Sequence, residues 1–501
     1  MIGKIKAFFK KLKGMPPAAK ASFWFVVSNV AFKGMSFITT PIFTRVMEVS
    51  DYGTSSVFVT WEGVINVFAT LALSGGVFNV AQAKYKDDVP AYTSSMMTLS
   101  FLTSFIVYSA CIVLNTFVPN LFGINSVYLV FMWVQTFTGS AISFWLMRRR
   151  FVYDYKSVIT YTFANALLSP TVALIAISLF PQDPAMAKVV GAGLPGIAIG
   201  MTFCIMNYVR GKRAYDARYW KYALKFTIPL VPYALSGTIM TSSDKLMVNS
   251  MTGSSAKAGI CGVAHSITGL VGIITQSINY SLIPYTMTAI KNKTYANLKN
   301  VILACVALAS VVCFFVMMFA REGILIFATV EYLDAVMFIP PLTLATLFCF
   351  VIGIIGNIMY YYEKTWPMSV ITMVCAGLNV VLNYFGILAF DYVATAWTTM
   401  ICYFVQLVAY YFIVRKYERN INKIVDIKMF FLIVGVYGGF MFVAMLLQAL
   451  LWARIALIAV ALIVLIALRK KIVAMFLSMK KRDQAKSEPV QDVVQDAVTE
   501  E

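Results

Sequence analysis

Long apolar stretches alternate with short polar ones along most of the chain. A membrane-spanning α-helix needs about 20 consecutive, mostly apolar residues, and the sequence contains about fourteen such stretches. The predicted spans are 20–46, 52–74, 93–115, 124–147, 156–179, 186–208, 224–250, 258–286, 297–320, 335–362, 367–388, 392–414, 428–449 and 452–469. This pattern predicts an all-α membrane protein with about 14 transmembrane helices.

Positive charges fall almost entirely on one side of these spans. All but seven of the 41 Lys and Arg residues lie in polar stretches that would face the same side of a membrane. Because Lys and Arg concentrate in cytoplasmic loops, the bias predicts that both the N and the C terminus are cytoplasmic. The seven exceptions are Lys33, Arg45, Lys188, Lys245, Lys257, Arg321 and Arg454.

Composition supports a membrane protein over a nucleic-acid-binding one. The chain is 60% hydrophobic, and its net charge of +19 is placed beside apolar stretches, where anionic lipid headgroups attract it. The predicted partner is therefore the phospholipid bilayer, with no nucleic acid. Its eight cysteines show no metal-ligand spacing, and the sequence contains no phosphate loop or catalytic pair. We therefore expect no metal, no cofactor and no enzymatic activity.

Charge and hydropathy divide the chain into five parts. Residues 1–19 form a basic amphipathic segment, 20–213 hold helices 1–6, and 214–420 hold helices 7–12. Residues 421–479 hold helices 13–14, and 480–501 form an acidic tail that we predict to be disordered. The two six-helix halves have the same predicted topology, which is typical of transporters with a site between two repeats.

Polar residues recur on one face of the first predicted helix. Their spacing of three and four residues places them together: Asn29, Lys33, Ser36, Thr40 and Thr44. The second helix carries Glu62 and Asn66 at a similar depth. Ionisable groups inside a membrane are costly and face a partner or a cavity. Lys33 and Glu62 therefore form either a buried ion pair or the charged lining of a water-filled cavity.

The seventh and eighth helices carry further polar residues. Asp244 and Lys245 lie toward the outer end of the seventh helix, and His265, Gln276 and Asn279 follow one face of the eighth. His265 is the only histidine; a lone histidine is more often a packed residue than a proton carrier, and both roles stay open.

Several short motifs, in this order, are those of a known family. They are 40–45 with 51–53, 74–79 with 84–85, 243–247 with 259–260, and 363–365 with 378–383 and 394–398. The chain resembles the polysaccharide transporter family of the MOP exporter superfamily, the O-antigen and capsule repeat-unit flippases. Cys261 stands where relatives often have Tyr, and the Gly that relatives often show near Asp391 is missing here.

The resemblance implies two six-helix lobes that form a V, plus two C-terminal helices. It also implies a flippase that carries an undecaprenyl-pyrophosphate-linked oligosaccharide across the bacterial inner membrane by alternating access, for surface polysaccharide biosynthesis. Polysaccharide polymerase and chain-length proteins would be its partners. In this frame the candidates for binding pyrophosphate are Lys33, Arg45 and Lys245. The expected polar lining of the cavity is Asn29, Ser36, Thr40, Glu62, Asn66, Asp244, His265, Gln276 and Asn279.

Three other functions compete with this one. A MATE-type cation-coupled antiporter of small molecules would have a net acidic cavity, whereas the buried charges here are roughly balanced. A lipid II flippase is a variant of the same transport reaction. A membrane polymerase or ligase of lipid-linked sugars would typically carry a large outer loop, which this sequence lacks.

Overall fold

The computed structural model describes residues 17–118, 121–364, 366–425, 427–448, 450 and 452–459, and all regular elements in these ranges are helical. Short 3₁₀ turns lie at Ile228–Leu230 and Val330–Met337. The α-helices are α1 Pro17–Val46, α2 Val49–Thr70, α3 Gly76–Lys84, α4 Val89–Phe117, α5 Ser126–Phe151, α6 Tyr155–Leu179, α7 Pro184–Gly211, α8 Ala217–Thr227, α9 Val231–Thr252, α10 Ser255–Lys291, α11 Tyr295–Met318, α12 Ala320–Phe327, α13 Ile339–Tyr361, α14 Trp366–Phe390, α15 Ala394–Tyr417, α16 Ile421–Ile424 and α17 Ile427–Leu447.

The all-α membrane fold predicted from the sequence is confirmed. Within the described ranges, ten helices are long and apolar enough to cross a membrane, and they correspond to the third through twelfth predicted spans. The first, second and thirteenth predicted spans are the helices α1, α2 and α17. Residues 1–16, most of the fourteenth span and the acidic tail lie outside the described residues.

The predicted seventh span, 224–250, lies within the candidate membrane span Ala217–Thr252, which a 3₁₀ turn divides into two helices. A surface helix, α8, ends at Thr227, and a 3₁₀ turn connects it to α9. Pro229 and Pro232 lack the amide hydrogen that a continuous helix would use at this junction. Tyr219, Ala223 and Thr227 are spaced by four residues and are all buried. Helix α8 therefore packs one face against the first six-helix half, and only α9 belongs to the second.

Helices within each half pack side by side, and one buried apolar cluster joins the two halves through α2, α9 and α10. In the first half α6 lies along α7, and in the second α13 lies between α11 and α15. Helix α13 is apolar around most of its surface and is the central helix of its half; Leu347, Ile354 and Ile358 are fully buried. A helix that is apolar all round is one that other helices surround. We call the two halves the N-lobe (α1–α7) and the C-lobe (α9–α15).

The two lobes touch at the side that the charge pattern assigns to the outside. A Cβ atom on Gly53 of α2 would lie 1.8 Å from the carbonyl oxygen of Ser255, the first residue of α10. At the same level Arg45 donates from Nη2 to the carbonyl of Ile326 in α12 at 2.8 Å. The outer ends of α1 and α2 therefore contact the C-lobe directly and close the interface on that side.

Candidate substrate cavity

A cavity of about 830 Å³ lies between the lobes, beneath their outer contact. Helices α1, α6 and α7 supply its wall on the N-lobe side, and α10 and α13 supply the opposite wall. The polar side chains of the lining are Ser36, Thr39, Asn165, Ser169, Lys188, His265, Ser266, Thr275, Gln276, Asn279 and Thr346. Hydroxyl and amide groups that face a cavity can replace the hydrogen bonds that a sugar makes with water.

The cavity lining has basic side chains and no acidic ones among the described residues. Lys188 from α7 and His265 from α10 are its ionisable side chains with a basic function, and no Asp or Glu belongs to the described lining. A buried ammonium group such as that of Lys188, which has no described carboxylate beside it, attracts an anion from solution or from a substrate. The cavity therefore fits a substrate that carries both hydroxyl groups and negative charge.

Lys188 is held by neutral groups. Its Nζ donates to Oγ of Ser55 on α2 at 2.8 Å. The same nitrogen lies 4.0 Å from the ring centre of Tyr52 and 4.9 Å from that of Phe43. A hydroxyl and two ring faces stabilise an ammonium group without cancelling its charge. Lys188 forms no ion pair with any described carboxylate, so an anionic ligand could pair with its ammonium group.

His265 connects the cavity with a buried polar cluster in the C-lobe. Its Nε2 lies 3.3 Å from Oδ2 of Asp244. Asp244 is buried and accepts hydrogen bonds from Nδ2 of Asn383 at 2.9 Å and from Oγ1 of Thr399 at 2.9 Å. Helices α9, α14 and α15 thus meet at one carboxylate. Oδ1 of Asn379, one turn before Asn383 on α14, also accepts from Oγ of Ser243 on α9 at 2.6 Å.

Amide groups line the part of the cavity farther from the outer contact. Oδ1 of Asn279 accepts from Nδ2 of Asn357 at 2.9 Å, which fixes the orientation of the Asn279 side chain. On the opposite wall, the buried Oδ1 of Asn165 has no hydrogen-bond partner in the described part of the chain. An unpaired amide oxygen beside a cavity is an acceptor that a substrate hydroxyl can satisfy.

Four of the predicted site residues line this cavity: Ser36, His265, Gln276 and Asn279. The side chains of Asn29 and Lys33 lie outside the described residues, so their roles stay predictions, as does the proposed pair of Lys33 with Glu62. Six more lie outside the lining of this cavity, and their assignment to a substrate site also stays a prediction: Thr40, Arg45, Glu62, Asn66, Asp244 and Lys245.

These six residues lie in distinct surroundings. Thr40 is buried, and Arg45 binds backbone carbonyls at the outer contact. Glu62 is half-buried on α2. Asn66 is exposed one turn farther along that helix. Lys245 is half-buried, and its Cδ lies 3.9 Å from where a Cβ on Gly262 would be.

Sequence reasoning missed Lys188 and Asn165. Lys188 is the fifth residue of α7, about 6 Å along the helix from its outer end, a depth at which a lysine normally reaches the aqueous surface. The sequence did contain a signal, because Lys188 is one of the seven cations that do not lie on the predicted cytoplasmic side. Three of the other six cations have partners in the structure. Arg45 donates to the carbonyl of Ile326, Lys257 pairs with Asp391, and Arg454 pairs with Glu322.

A sequence profile described as "Polysaccharide biosynthesis protein" matches residues 18–291, more than half of the 501-residue chain. The chain belongs to the polysaccharide biosynthesis protein family. The match begins within α1 and ends at the last residue of α10, so it includes every helix that lines the cavity except α13. Among curated proteins no significant match is found.

Solved structures with similar folds are MOP exporters. An inward-facing multidrug resistance MATE family transporter of the MOP superfamily aligns with TM-score 0.57 at 12% identity, over 79% of this chain and 99% of its own. The lipid II flippase MurJ, in an inward closed conformation, aligns with TM-score 0.59 at 12% identity, over 89% and 99%. The eukaryotic MATE transporter AtDTX14 aligns with TM-score 0.51 at 14% identity, over 81% and 95%. This member of the polysaccharide biosynthesis family therefore has the MOP exporter fold in a multi-pass membrane protein.

Proposed function

We propose that this protein is a flippase that moves an undecaprenyl-pyrophosphate-linked oligosaccharide from the cytoplasmic to the outer leaflet of the bacterial inner membrane. The observation that carries the proposal is the cavity between the lobes, which contains Lys188 and His265, many hydroxyl and amide groups, and no described carboxylate. A lipid-linked sugar has complementary chemistry, because its pyrophosphate is anionic and its glycan carries many hydroxyls.

The energetic barrier explains why a protein is needed. Moving one hydroxyl from water into hydrocarbon without a partner costs about 4–8 kcal/mol, and a repeat unit has several hydroxyls as well as a charged pyrophosphate. A cavity that supplies water, amide groups and a cation removes most of this cost. Closing the outer contact while the cavity faces the cytoplasm, and reversing this arrangement, would move the headgroup without ever placing it in lipid.

Alternating access would use the lobes as rigid units. Gly53 and Ser255 close the outer side, and separation of α2 from α10 there would expose the cavity to the outside. A MATE-type antiporter of cationic compounds fits less well, because the cavity offers such a cargo no described carboxylate and places an ammonium group in its path.

Reconstitution tests the proposal. The full-length protein in vesicles should increase the rate at which an undecaprenyl-pyrophosphate-linked oligosaccharide becomes accessible to an enzyme added outside. Lipid II in the same assay tests the lipid II flippase alternative. In cells, removal of the protein should cause a lipid-linked sugar to accumulate on the cytoplasmic face, and mass spectrometry would identify it. Failure to accelerate flipping of any lipid-linked sugar, together with export of cationic compounds, would overturn the proposal.

A further inference from the structure

A second cavity lies on the N-lobe, between α1 and α6, with a volume of about 370 Å³. We call it the α1–α6 crevice. Its lining is apolar except for Thr162, and it consists of Ala31, Gly34, Met35, Ile38, Thr162, Phe163 and Ala166. It differs in this respect from the cavity between the lobes, which contains amides, hydroxyls and a lysine.

The crevice and the cavity lie on two faces of the same helix. Ser36, Thr39 and Phe43 of α1 line the cavity, whereas Ala31, Gly34 and Ile38 line the crevice. Each set follows the three- and four-residue spacing of one helical face. Only Met35 from α1 and Ala166 from α6 belong to both linings. These two side chains therefore form the boundary between the crevice and the cavity, which has the more polar lining of the two.

The crevice is not filled by protein side chains, and it opens on the surface of the helix bundle. Ile38 is 62% exposed and Phe163 is 40% exposed, and apolar side chains in that position on a membrane protein contact lipid. A Cβ atom on Gly34 would have no neighbour within 4 Å. The absence of a side chain at Gly34 thus keeps the crevice open in the middle of α1.

We propose that the α1–α6 crevice binds the polyprenyl tail of the lipid whose headgroup occupies the cavity between the lobes. This inference rests on the proposed function. Exposing each CH₂ group of a tail to water costs about 0.8 kcal/mol, so a long tail cannot follow its headgroup into a hydrated cavity. It requires an apolar site directly beside that cavity, and the crevice shares two lining residues with it.

Photo-crosslinking with undecaprenyl pyrophosphate tests this inference without requiring transport. The photoreactive amino acid p-benzoylphenylalanine would replace Ile38 or Phe163 in the full-length protein, in vesicles of phosphatidylethanolamine and phosphatidylglycerol that contain the probe. The control position is Ile106 on α4, which is 65% exposed and lines neither cavity. We expect undecaprenyl adducts at Ile38 and Phe163 about tenfold above those at Ile106, with mass spectrometry distinguishing them from phospholipid adducts.

A matched pair of glycine variants tests whether the crevice itself is responsible. Gly34→Leu fills the crevice and should lower undecaprenyl crosslinking at Phe163 about tenfold. Gly139→Leu on α5 is the control, since a Cβ there also has no neighbour within 4 Å and α5 lines neither cavity. Adducts with phospholipid only, equal undecaprenyl yields at Phe163 and Ile106, or no effect of Gly34→Leu would each overturn the inference.

The crosslinking result and the flipping result can be told apart, so the tail site and the proposed function can fail independently. If the protein flips lipid-linked oligosaccharide but Ile38 and Phe163 crosslink only phospholipid, the tail site is wrong and the flippase stands. If these positions crosslink undecaprenyl pyrophosphate while no lipid-linked sugar is flipped, the flippase is wrong and a polyprenyl site remains.

Discussion

Gly53 and Gly259 bring α2 and α10 into backbone contact at the side of the protein that the charge pattern assigns to the outside. A Cβ on Gly259 would lie 3.0 Å from the Cα of Gly53, and a Cβ on Gly53 would lie 1.8 Å from the carbonyl oxygen of Ser255. Contacts of 1.8 Å are impossible for real atoms, so the closed interface depends on the absence of a side chain at position 53.

Gly53→Ala should therefore shift the protein toward a state that is open to the outside. Overpacking costs about 1–3 kcal/mol, which changes a two-state equilibrium about tenfold or more. Cys349 reports on this change, because it is an exposed thiol in the cavity lining. We expect faster labelling of Cys349 in intact cells by a membrane-impermeant maleimide.

Two variants make this measurement specific. Gly63→Ala lies on the same helix with no neighbour within 4 Å of its new Cβ, and should leave labelling unchanged. Cys349→Ser identifies the signal from the other cysteines. Equal labelling of Gly53→Ala and Gly63→Ala would show that the Gly53 contact does not control access.

Arg45 should act as a latch at the same outer contact. Its Nη2 donates to the carbonyls of Leu325 at 3.3 Å and Ile326 at 2.8 Å, across the lobe boundary. Each hydrogen bond from a charged group contributes about 1.5–3 kcal/mol when buried, and less here because the side chain is exposed. Arg45→Ala should therefore raise outside labelling of Cys349 by less than Gly53→Ala does.

This experiment also tests the other role predicted for Arg45. If Arg45 bound pyrophosphate instead, Arg45→Ala would weaken binding of undecaprenyl pyrophosphate and leave the labelling of Cys349 unchanged. Arg45→Lys keeps the charge but cannot reproduce the forked hydrogen bonds, so it should resemble Arg45→Ala if the latch interpretation is correct.

The sequence predicted the helices and the polar face of each helix better than it predicted which residues contact that face. On α10 the spacing of His265, Gln276 and Asn279 indicated a single face, and all three line the cavity. On α1 the same reasoning succeeded for Ser36 but not for Thr44, whose hydroxyl donates to the carbonyls of Thr40 and Phe327. A polar stripe shows that a helix face needs hydrogen bonds, but not whether water or another helix supplies them.

Asp244 illustrates what periodicity cannot reveal. It was predicted to line the cavity because an ionisable residue in a membrane usually faces water or a partner. Its partners Asn383 and Thr399 are more than a hundred residues away in sequence. Asn383 and Thr399 reach Asp244 because α14 and α15 pack against α9. The local sequence around Asp244 does not predict that packing. Lys188 breaks the charge bias of the sequence, but its partners Ser55, Tyr52 and Phe43 are neutral, so no oppositely charged residue marked it as part of a site.

Acid should weaken the attachment of the segment that follows α17. Arg454 is 3% exposed and donates from Nη1 and Nη2 to Glu322 at 2.7 and 2.8 Å. Partial burial raises the pKa of Glu322, but the hydrogen bonds and charge of Arg454 outweigh it and leave the pKa below its usual value. A lowered pKa in the folded state gives stability that is present above the unfolded pKa of about 4.3.

We therefore expect the unfolding temperature to be steady near neutral pH and to fall as the pH drops below about 4. Glu322→Gln should lower it already at pH 7. Removing one partner of a fully buried pair costs about 3–5 kcal/mol, and the partly exposed Glu322 should cost less. The control is Glu331→Gln on the neighbouring 3₁₀ turn, which should change little. A wild-type acid transition that persists unchanged in Glu322→Gln would contradict the assignment.

Lys188 should determine the preference of the cavity for an anionic headgroup. Among the described residues, its Nζ contacts only Ser55 and two aromatic rings. A bound pyrophosphate would therefore give it an anionic partner that the protein does not supply. A charge-assisted hydrogen bond contributes about 1.5–3 kcal/mol, which corresponds to about tenfold to a hundredfold in affinity. Lys188→Gln should weaken binding of undecaprenyl pyrophosphate by that factor, and Lys188→Arg should retain most of it.

The comparison of two lipids separates this charge effect from a loss of folding. Undecaprenol has the same tail without the pyrophosphate, so its Kd should not change in Lys188→Gln if the lysine recognises only charge. Lys257→Gln is the matched control, because Lys257 pairs with Asp391 on the outer surface and lines neither cavity. If Lys188→Gln and Lys257→Gln bind undecaprenyl pyrophosphate equally well, the anion is recognised elsewhere, and Lys33 becomes the next residue to replace.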